Sequence, residues 1–464
     1  MDIKVDFTNM MADVIGEEHG IRDREIKDVN ELASKSISEL QEERKEGKLP
    51  FMDLPYQNDL VDEIEKTADE ITERFENFVV LGIGGSALGN IALHNALNHP
   101  YYNLLDKEAR NGHPKIFVMD NVDPDKFSGF LDIVDPKTTM FNVITKSGTT
   151  VETMSQFLIM SKMLKGRIGK NYCDNFICTT DKSQGLLREI ADSEGFRSFI
   201  IPDGVGGRYS VLTPVGLLSA SVSGININEL LSGASSMDER CQFDYINDNP
   251  ALMNALLQYV SYKKKGLNIL IMMAYSNALS GIVDWFCQLW SESLGKEGSI
   301  SGEIVNCGST PVKAIGVTDQ HSQLQLYMEG PFDKTITFLH VKKFDKNIAI
   351  PKGTIDKLEY LGGRTLNDLM EAEMIGTQLA LTENKRPNCT ITLPEVSEST
   401  IGQLLYMFEV QTALVGKMYG INPFDQPGVE AGKINAHAIL GRKGFEERRK
   451  EIESYQKTGS KHIV

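Results

Sequence analysis

Short apolar runs alternate with stripes of helical spacing along most of the chain, and this alternation predicts its fold class. Over residues 1–76, Ala33, Ile37 and Leu40 recur at helical spacing before Gly47 and Pro50 end the pattern, and Leu60, Ile64, Ala68, Ile71 and Phe75 form a second stripe. Charged residues fill the positions between, so these segments predict covering helices without chemistry of their own. From Phe78 the texture changes. Apolar runs at 78–83, 115–119, 140–145, 175–178 and 198–201 have strand length, and helical patterns fill most of the gaps, which predicts a parallel sheet covered on both faces. A second series begins at 267–273 and continues through 312–317 and 336–341 to about 390–393. The two series open alike, with VVLGIGGSALGNIAL and ILIMMAYSNALSGIV, each an apolar strand, a turn of small residues and a helix. The chain therefore reads as α/β, with two related, doubly wound parallel-sheet αβα units at 77–224 and 266–440. N-terminal covering helices occupy 1–76, connecting helices 225–265, and a C-terminal helical tail 441–464, where Glu446/Lys450 and Glu453/Lys457 stand four apart as on a solvated helix.

A length of 464 residues suits two or three packing units. The balance of 41% apolar and 24% charged residues excludes a disordered or fibrous chain. A net charge of −16 argues against nucleic acid or an anionic membrane as a general partner, while leaving room for a small basic site. Two uncharged stretches, 209–228 and 266–283, are broken by Pro214 and two glycines, or by Asn268, Ser276, Asn277 and Ser280, and neither predicts a bilayer span. The six cysteines form no C-x-x-C pair, which predicts reduced thiols in a cytoplasmic protein. The opening Met-Asp-Ile-Lys-Val-Asp lacks the apolar core of a secretory signal.

Candidate chemistry lies in the turns after the predicted strands. Gly82-Ile-Gly84-Gly85-Ser86-Ala-Leu-Gly89 lets backbone approach a ligand and opens a helix whose amides favour an anion. The same residues satisfy a G-x-G-x-x-A dinucleotide fingerprint, with Asp120 closing a later strand, and would also serve as a purely structural turn. Thr145-Lys146-Ser147-Gly148-Thr149-Thr150-Val-Glu152-Thr153 concentrates hydroxyls, a lysine and a glycine where a strand meets a helix. That donor set suits a phosphomonoester, although Thr, Ser and Gly are equally good turn and capping residues. It lacks the spacing of a P-loop. Arg208, in Gly206-Gly207-Arg208-Tyr209-Ser210, could stabilise an oxyanion or pair structurally with a carboxylate.

Leu279, Ile282, Val283, Phe286, Leu289 and Trp290 mark a buried helical face that delivers Gln288 and then Ser291-Glu292-Ser293-Leu294-Gly295-Lys296. Glu292 is there either a general base or a solvated helix-end residue. His321, in Asp319-Gln320-His321-Ser322-Gln323, stands at a strand's C-terminal edge, where open α/β sheets bind ligands, or caps the following helix. Gln426, Glu430 and Lys433 share helical spacing after Asn422-Pro423-Phe424-Asp425 and could turn to one face. No zinc spacing such as H-E-x-x-H occurs, so no metal is predicted.

Taken in order over about residues 78–440, the segments GIGGSALG, TKSGTTVET, GGRYSVLTPVGLL, ESLGK, DQHSQLQ and NPFDQPGVEAGK closely resemble the phosphoglucose isomerases of the shorter bacterial type. The resemblance implies two sugar-isomerase (SIS) αβα units, no cofactor, and reversible conversion of glucose 6-phosphate and fructose 6-phosphate through ring opening and an enediol. It implies that Glu292 moves the proton between C1 and C2. His321, contributed by the neighbouring subunit of a homodimer, would open the ring, with Lys433 near the ring oxygen and Arg208 stabilising the enediolate. Thr145, Lys146, Ser147 and Thr150 match the phosphate cradle, and Gly85, Ser86, Glu152 and Gln426 match positions lining the sugar. Thr145 stands where many relatives carry serine. Gly148 replaces a bulky aromatic residue of other branches, which would leave room near the sugar or phosphate. The expected partner is a phosphorylated hexose, with neither nucleic acid nor membrane involved. Two other readings are a non-catalytic SIS-domain sugar-phosphate sensor, which would not need Glu292, His321 and Lys433 together, and an NAD-dependent dehydrogenase, which rests on the Gly82 loop alone.

Overall fold

The computed structural model describes residues 2–353, 355–457, 462 and 464. After an N-terminal strand β1 (Lys4–Asp6), the helices Asp23–Lys45 and Asn58–Arg74 carry the two apolar stripes and bury Ala33, Ile37 and Leu40, then Ile64, Ala68 and Ile71. The first sheet comprises β2 (Asn77–Leu81), β3 (Lys115–Met119), β4 (Thr139–Ile144), β5 (Phe176–Thr180) and β6 (Arg197–Ile200), all parallel, in the order β3-β2-β4-β5-β6. Every residue of β2, β4 and β5 is buried, as expected of strands covered on both faces.

The second sheet is built from β7 (Ile269–Ala274). After the hairpin β8 (Lys296–Gly298) and β9 (Ile304–Cys307) come β10 (Thr310–Ile315), β11 (Lys334–Lys343) and β12 (Asn388–Glu395). Its order is β1-β12-β11-β7-β10, parallel except for the β1–β12 pair. In each sheet the first strand has the second on one side and the third on the other, so the weak repeat in the two opening segments has its counterpart in topology. Two elements depart from expectation. The covering segment at 1–76 supplies β1, whose three residues are too few to show a period-two pattern but occupy the free edge of β12. The β8–β9 hairpin, with strands of three and four residues, is likewise too short to show a period-two pattern in the sequence.

Helix Glu398–Tyr419 runs through the middle of the molecule, buried along nearly its whole length against the connecting helices Ile227–Cys241 and Pro250–Lys265. Asp238, fully buried, ties these layers together. Its carboxylate accepts from Arg44 Nη1 and Nη2 at 2.8 and 3.0 Å, Tyr56 Oη at 2.7 Å, Tyr406 Oη at 2.6 Å and Gln242 Nε2 at 3.1 Å. A buried ion pair persists when its remaining lone pairs are satisfied in this way. On the same central helix Glu409 is completely buried and neither carboxylate oxygen has a hydrogen-bond partner. Burial alone pushes its carboxyl well above the usual range, so the fold holds it protonated.

That proton sets a pH dependence. The unfolded chain releases it near pH 4.3, while the fold retains it, so rising pH above that point progressively favours unfolding. Glu409→Gln removes the contribution, and the variant should lose less stability than the parent between about pH 5 and 8, read from urea midpoints across that range.

Candidate active site

In the first sheet the chain reverses its direction of travel between β2 and β4, and the crevice outside their C-terminal ends is where such sheets bind ligands. The loop after β2 leads into helix Gly85–Leu97, and that after β4 into helix Val151–Ile168. Gly85 is required by close approach: a Cβ there would lie 2.2 Å from the Gly207 carbonyl carbon. The absence of a side chain thus seats the turn Gly207–Tyr209, with Arg208, directly on the helix start.

After β4 the hydroxyls form a closed turn. Thr145 Oγ1 lies 2.9 Å from Thr150 Oγ1 and accepts the Gly148 amide at 3.3 Å, and Ser147 Oγ lies 3.0 Å from Thr149 Oγ1 and accepts its amide at 3.2 Å. Because the Thr150 hydroxyl is engaged with Thr145, it does not cap the helix it precedes, and the first-turn amides have no side-chain acceptor. Such an end favours an anion. Lys146 reaches towards the Pro202 and Val205 carbonyls at 3.3 and 3.4 Å, and Glu152 is half-buried in the helix's first turn. Gly148 leaves no room, contrary to expectation. It has φ 66°, and a Cβ would lie 2.1 Å from the Leu187 amide nitrogen, so its missing side chain is taken up by backbone packing.

Helix Ser280–Leu294 brings the second unit to this crevice. Gly281 packs closely on Ala92 of helix Gly85–Leu97, and Trp285, Phe286, Leu289 and Trp290 are buried behind it. The opposite face presents Gln288 and Glu292. Arg208, 2% exposed, meets the end of this helix with all five donors engaged. Nε donates to Ser293 Oγ at 2.7 Å, Nη1 to Gln426 Oε1 at 2.9 Å and Glu292 Oε2 at 3.3 Å, and Nη2 to the carbonyls of Pro423 and Asp425 at 2.6 and 3.1 Å. The other Glu292 oxygen, Oε1, accepts from Gln288 Nε2 at 3.0 Å. Glu292 is therefore held from both sides, with its side chain about one-third exposed, 32%.

The sequence marks Gln288 only as a companion of Glu292, yet it has the features of a site residue. It lies against Gly84, holds Glu292, and keeps its own Oε1 buried without a partner. Its signal in the sequence is a polar residue four before Glu292, on the same face of the helix. Lys296, quoted in its motif but given no role, has a buried Nζ that donates to the carbonyls of Glu292 and Asp425.

Of the candidates, Gly85, Arg208, Glu292 and Gln426 are joined by the contacts above, Ser86 opens the same helix as Gly85, and the hydroxyl turn follows the adjacent strand β4, whereas no hydrogen bond or ion pair links His321 or Lys433 to them within this chain. His321 is exposed and makes no side-chain hydrogen bond. Its turn is nevertheless fixed: Asp319 accepts the Ile315 amide at 2.7 Å and Ser322 Oγ at 2.6 Å, while Gln320 bridges Tyr275 Oη and Glu373. Those donors, acting against burial, hold the Asp319 carboxyl below its ordinary value. Lys433 is exposed on helix Glu430–Ile439, where it pairs with Glu430 at 2.8 Å. Asp120, the acidic residue of the dinucleotide fingerprint, is paired with Lys126 at 2.8 Å. Among the described residues no group of three or more His, Cys, Asp and Glu could hold a metal ion, and no helix is long and apolar enough to cross a membrane.

Residues 59–459 match the sequence model of the phosphoglucose isomerase family. The chain is 47% identical over 455 residues to a glucose-6-phosphate isomerase of Carboxydothermus hydrogenoformans, covering 97% of each. The chain belongs to the phosphoglucose isomerase family. It is also 41% identical to a glucose-6-phosphate isomerase of Rubrobacter xylanophilus, over 96% of this chain and 99% of that one. In three dimensions it resembles a hypothetical protein of Thermus thermophilus, with TM-score 0.85 and 33% identity over 95% of this chain and 100% of the other. A glucose-6-phosphate isomerase of Chlamydia trachomatis shares the fold, with TM-score 0.74 at 23% identity, over 87% of this chain and 77% of that one. Family membership fits the α/β architecture and the doubly wound parallel sheets described above.

The contact between Gly85 and Gly207 yields a direct test. Gly85→Ala must force the helix start away from the Arg208 turn and should destabilise the protein by about 1–3 kcal/mol, read as a lowered denaturant midpoint.

Proposed function

We propose that this chain catalyses the reversible aldose–ketose isomerisation of glucose 6-phosphate and fructose 6-phosphate, without a metal or cofactor. The observation that carries the reading is Glu292, held between Arg208 and Gln288, with the hydroxyl turn Thr145–Thr150 following β4 at the switch point of the first sheet. The phosphate would be received by Thr145, Lys146, Ser147 and Thr150 and by the uncapped amides of helix Val151–Ile168, fixing the sugar at its far end. Gly85, Ser86, Glu152 and Gln426 would line the sugar, and the unpartnered Gln288 Oε1 would accept one of its hydroxyls.

With the ring opened, one carboxylate suffices for the chemistry. Glu292 removes the proton from C2 and returns it to C1, and the enediolate charge falls to Arg208. Because every Arg208 donor is in use, this must occur through Nη1, which already faces Glu292 and Gln426. As Glu292 takes up the proton its carboxylate loses its charge, and the Nη1 hydrogen it held can turn to the enediolate oxygen as charge develops there. The sensor and dehydrogenase readings are not favoured: close relatives over nearly the full length are isomerases, and the fingerprint's acidic residue is already paired.

We further assign the working form as a homodimer in which His321 of one protomer opens the ring in the other's site, with Lys433 near the ring oxygen. Supporting this, His321 is exposed without a hydrogen-bond partner on a pinned turn, and Lys433 projects on an exposed helix. A cytoplasmic location accords with six unpaired cysteines.

The purified chain should interconvert the two sugar phosphates in the presence of chelator, with mannose 6-phosphate run alongside to set its breadth. Glu292→Gln should retain phosphosugar binding and lose about 10²–10⁴-fold in kcat, and near-normal turnover would remove Glu292 as the base. Mixing inactive Glu292→Gln and His321→Ala dimers under subunit exchange should restore about a quarter of parental activity, since each hybrid regains one complete site. No recovery would place both residues of a site in one chain.

A further inference from the structure

Two cations, Arg208 and Lys296, converge on the carbonyl of Asp425, and only the first has been assigned to the reaction. Lys296 begins β8, and its backbone is paired with Cys307, so its own position is set independently of its side chain. The side chain is 5% exposed. Its Nζ donates to the Glu292 carbonyl at 2.6 Å and the Asp425 carbonyl at 2.8 Å, with the Asp425 carboxylate 3.6 Å away. The first acceptor is the informative one. Glu292 lies in the last turn of helix Ser280–Leu294, where carbonyls have no partner within the helix and carry the negative end of its dipole. The neighbouring Ser291 carbonyl is met by the Gly295 amide, whereas that of Glu292 is met by an ammonium group.

Such an arrangement is electrostatically costly. Burial, and then the adjacent Arg208 charge, lower the Lys296 pKa from its ordinary value. A carbonyl cap alone could be supplied by water or a neutral side chain, so a second buried cation beside Arg208 is more than local helix capping requires. What it adds is a link: one Nζ joins the residue bearing the carboxylate to the turn 422–426 that carries Gln426 and leads to helix Glu430–Ile439. Arg208 makes the same link from the side-chain end, through Glu292 Oε2 and the Asp425 carbonyl. Glu292 is thereby fixed at both its backbone and its carboxylate against a single turn.

We propose that Lys296 is a positioning residue for proton transfer, setting the placement of Glu292 by holding its carbonyl against the Asp425 turn. This rests on the isomerase reading above. A base displaced by a fraction of an ångström still permits substrate binding but transfers its proton more slowly, so the loss falls on kcat.

The test uses the full-length protein, glucose 6-phosphate and its C2-deuterated form. Lys296→Met, which keeps the stem and deletes the donors, should lower kcat at least about tenfold with KM within about threefold, and should raise the deuterium isotope effect on kcat above the parental value. Lys296→Gln, which restores a neutral donor, should recover part of kcat and lower the isotope effect again. A purely structural role would reduce melting temperature or active fraction and leave the isotope effect unchanged, and that result would overturn the proposal. Failure of both variants to fold would likewise assign Lys296 to the fold. An absence of turnover in the parent would instead defeat the isomerase reading itself.

Discussion

The architecture of the site depends on satisfying one buried guanidinium. Arg208 is enclosed and permanently charged, and leaving any of its donors unpaired would cost several kcal/mol. Its five acceptors come from two other stretches of chain, the end of helix Ser280–Leu294 and the turn 423–426. Those stretches must meet the Gly207–Tyr209 turn before the cation can be buried. The contact of Gly85 with Gly207 and the packing of Gly281 on Ala92 are the steric conditions that allow it. Once they are met, Glu292 and Gln426 have fixed positions as a consequence of hydrogen-bond saturation.

The two sheets share a winding order but divide the work unequally. The first provides, at its switch point, a turn rich in hydroxyl and amide donors suited to a phosphate. The second contributes a helix whose end carries the carboxylate, together with an exposed, pinned turn bearing His321. The donor-rich turn and the carboxylate are thus on different units, which meet where helix Gly85–Leu97 packs on helix Ser280–Leu294. Close packing between two helices holds their separation within narrow limits.

Beyond the crevice, the burial of polar groups sorts into two kinds. Asp238 has every neighbour it needs and joins helices from three regions of the chain. Glu409 has none and is kept neutral. Both lie in or against the central helix Glu398–Tyr419, whose near-complete burial makes any polar group on it either a tie or a cost.

The sequence alone determined the elements and the local chemistry. Strand-length apolar runs, helical stripes and the Gly82, Thr145 and Gly206 turns are short-range signals, because side-chain period and turn preference act over a few residues. The order of the motifs carried the family. Tertiary structure alone decided how those pieces are joined. β1 is too short to announce itself, and the fit of Gly148 depends on Leu187, in the first turn of helix Leu186–Glu194. Two of the five Arg208 acceptors and both hydrogen-bond acceptors of Lys296 are main-chain carbonyls, which every residue possesses and no pattern marks. Gln426 lies 218 residues from the arginine it binds, and only the packed chain brings such groups within hydrogen-bonding distance. A buried cation selects its acceptors by geometry, and geometry at that range is a property of the fold.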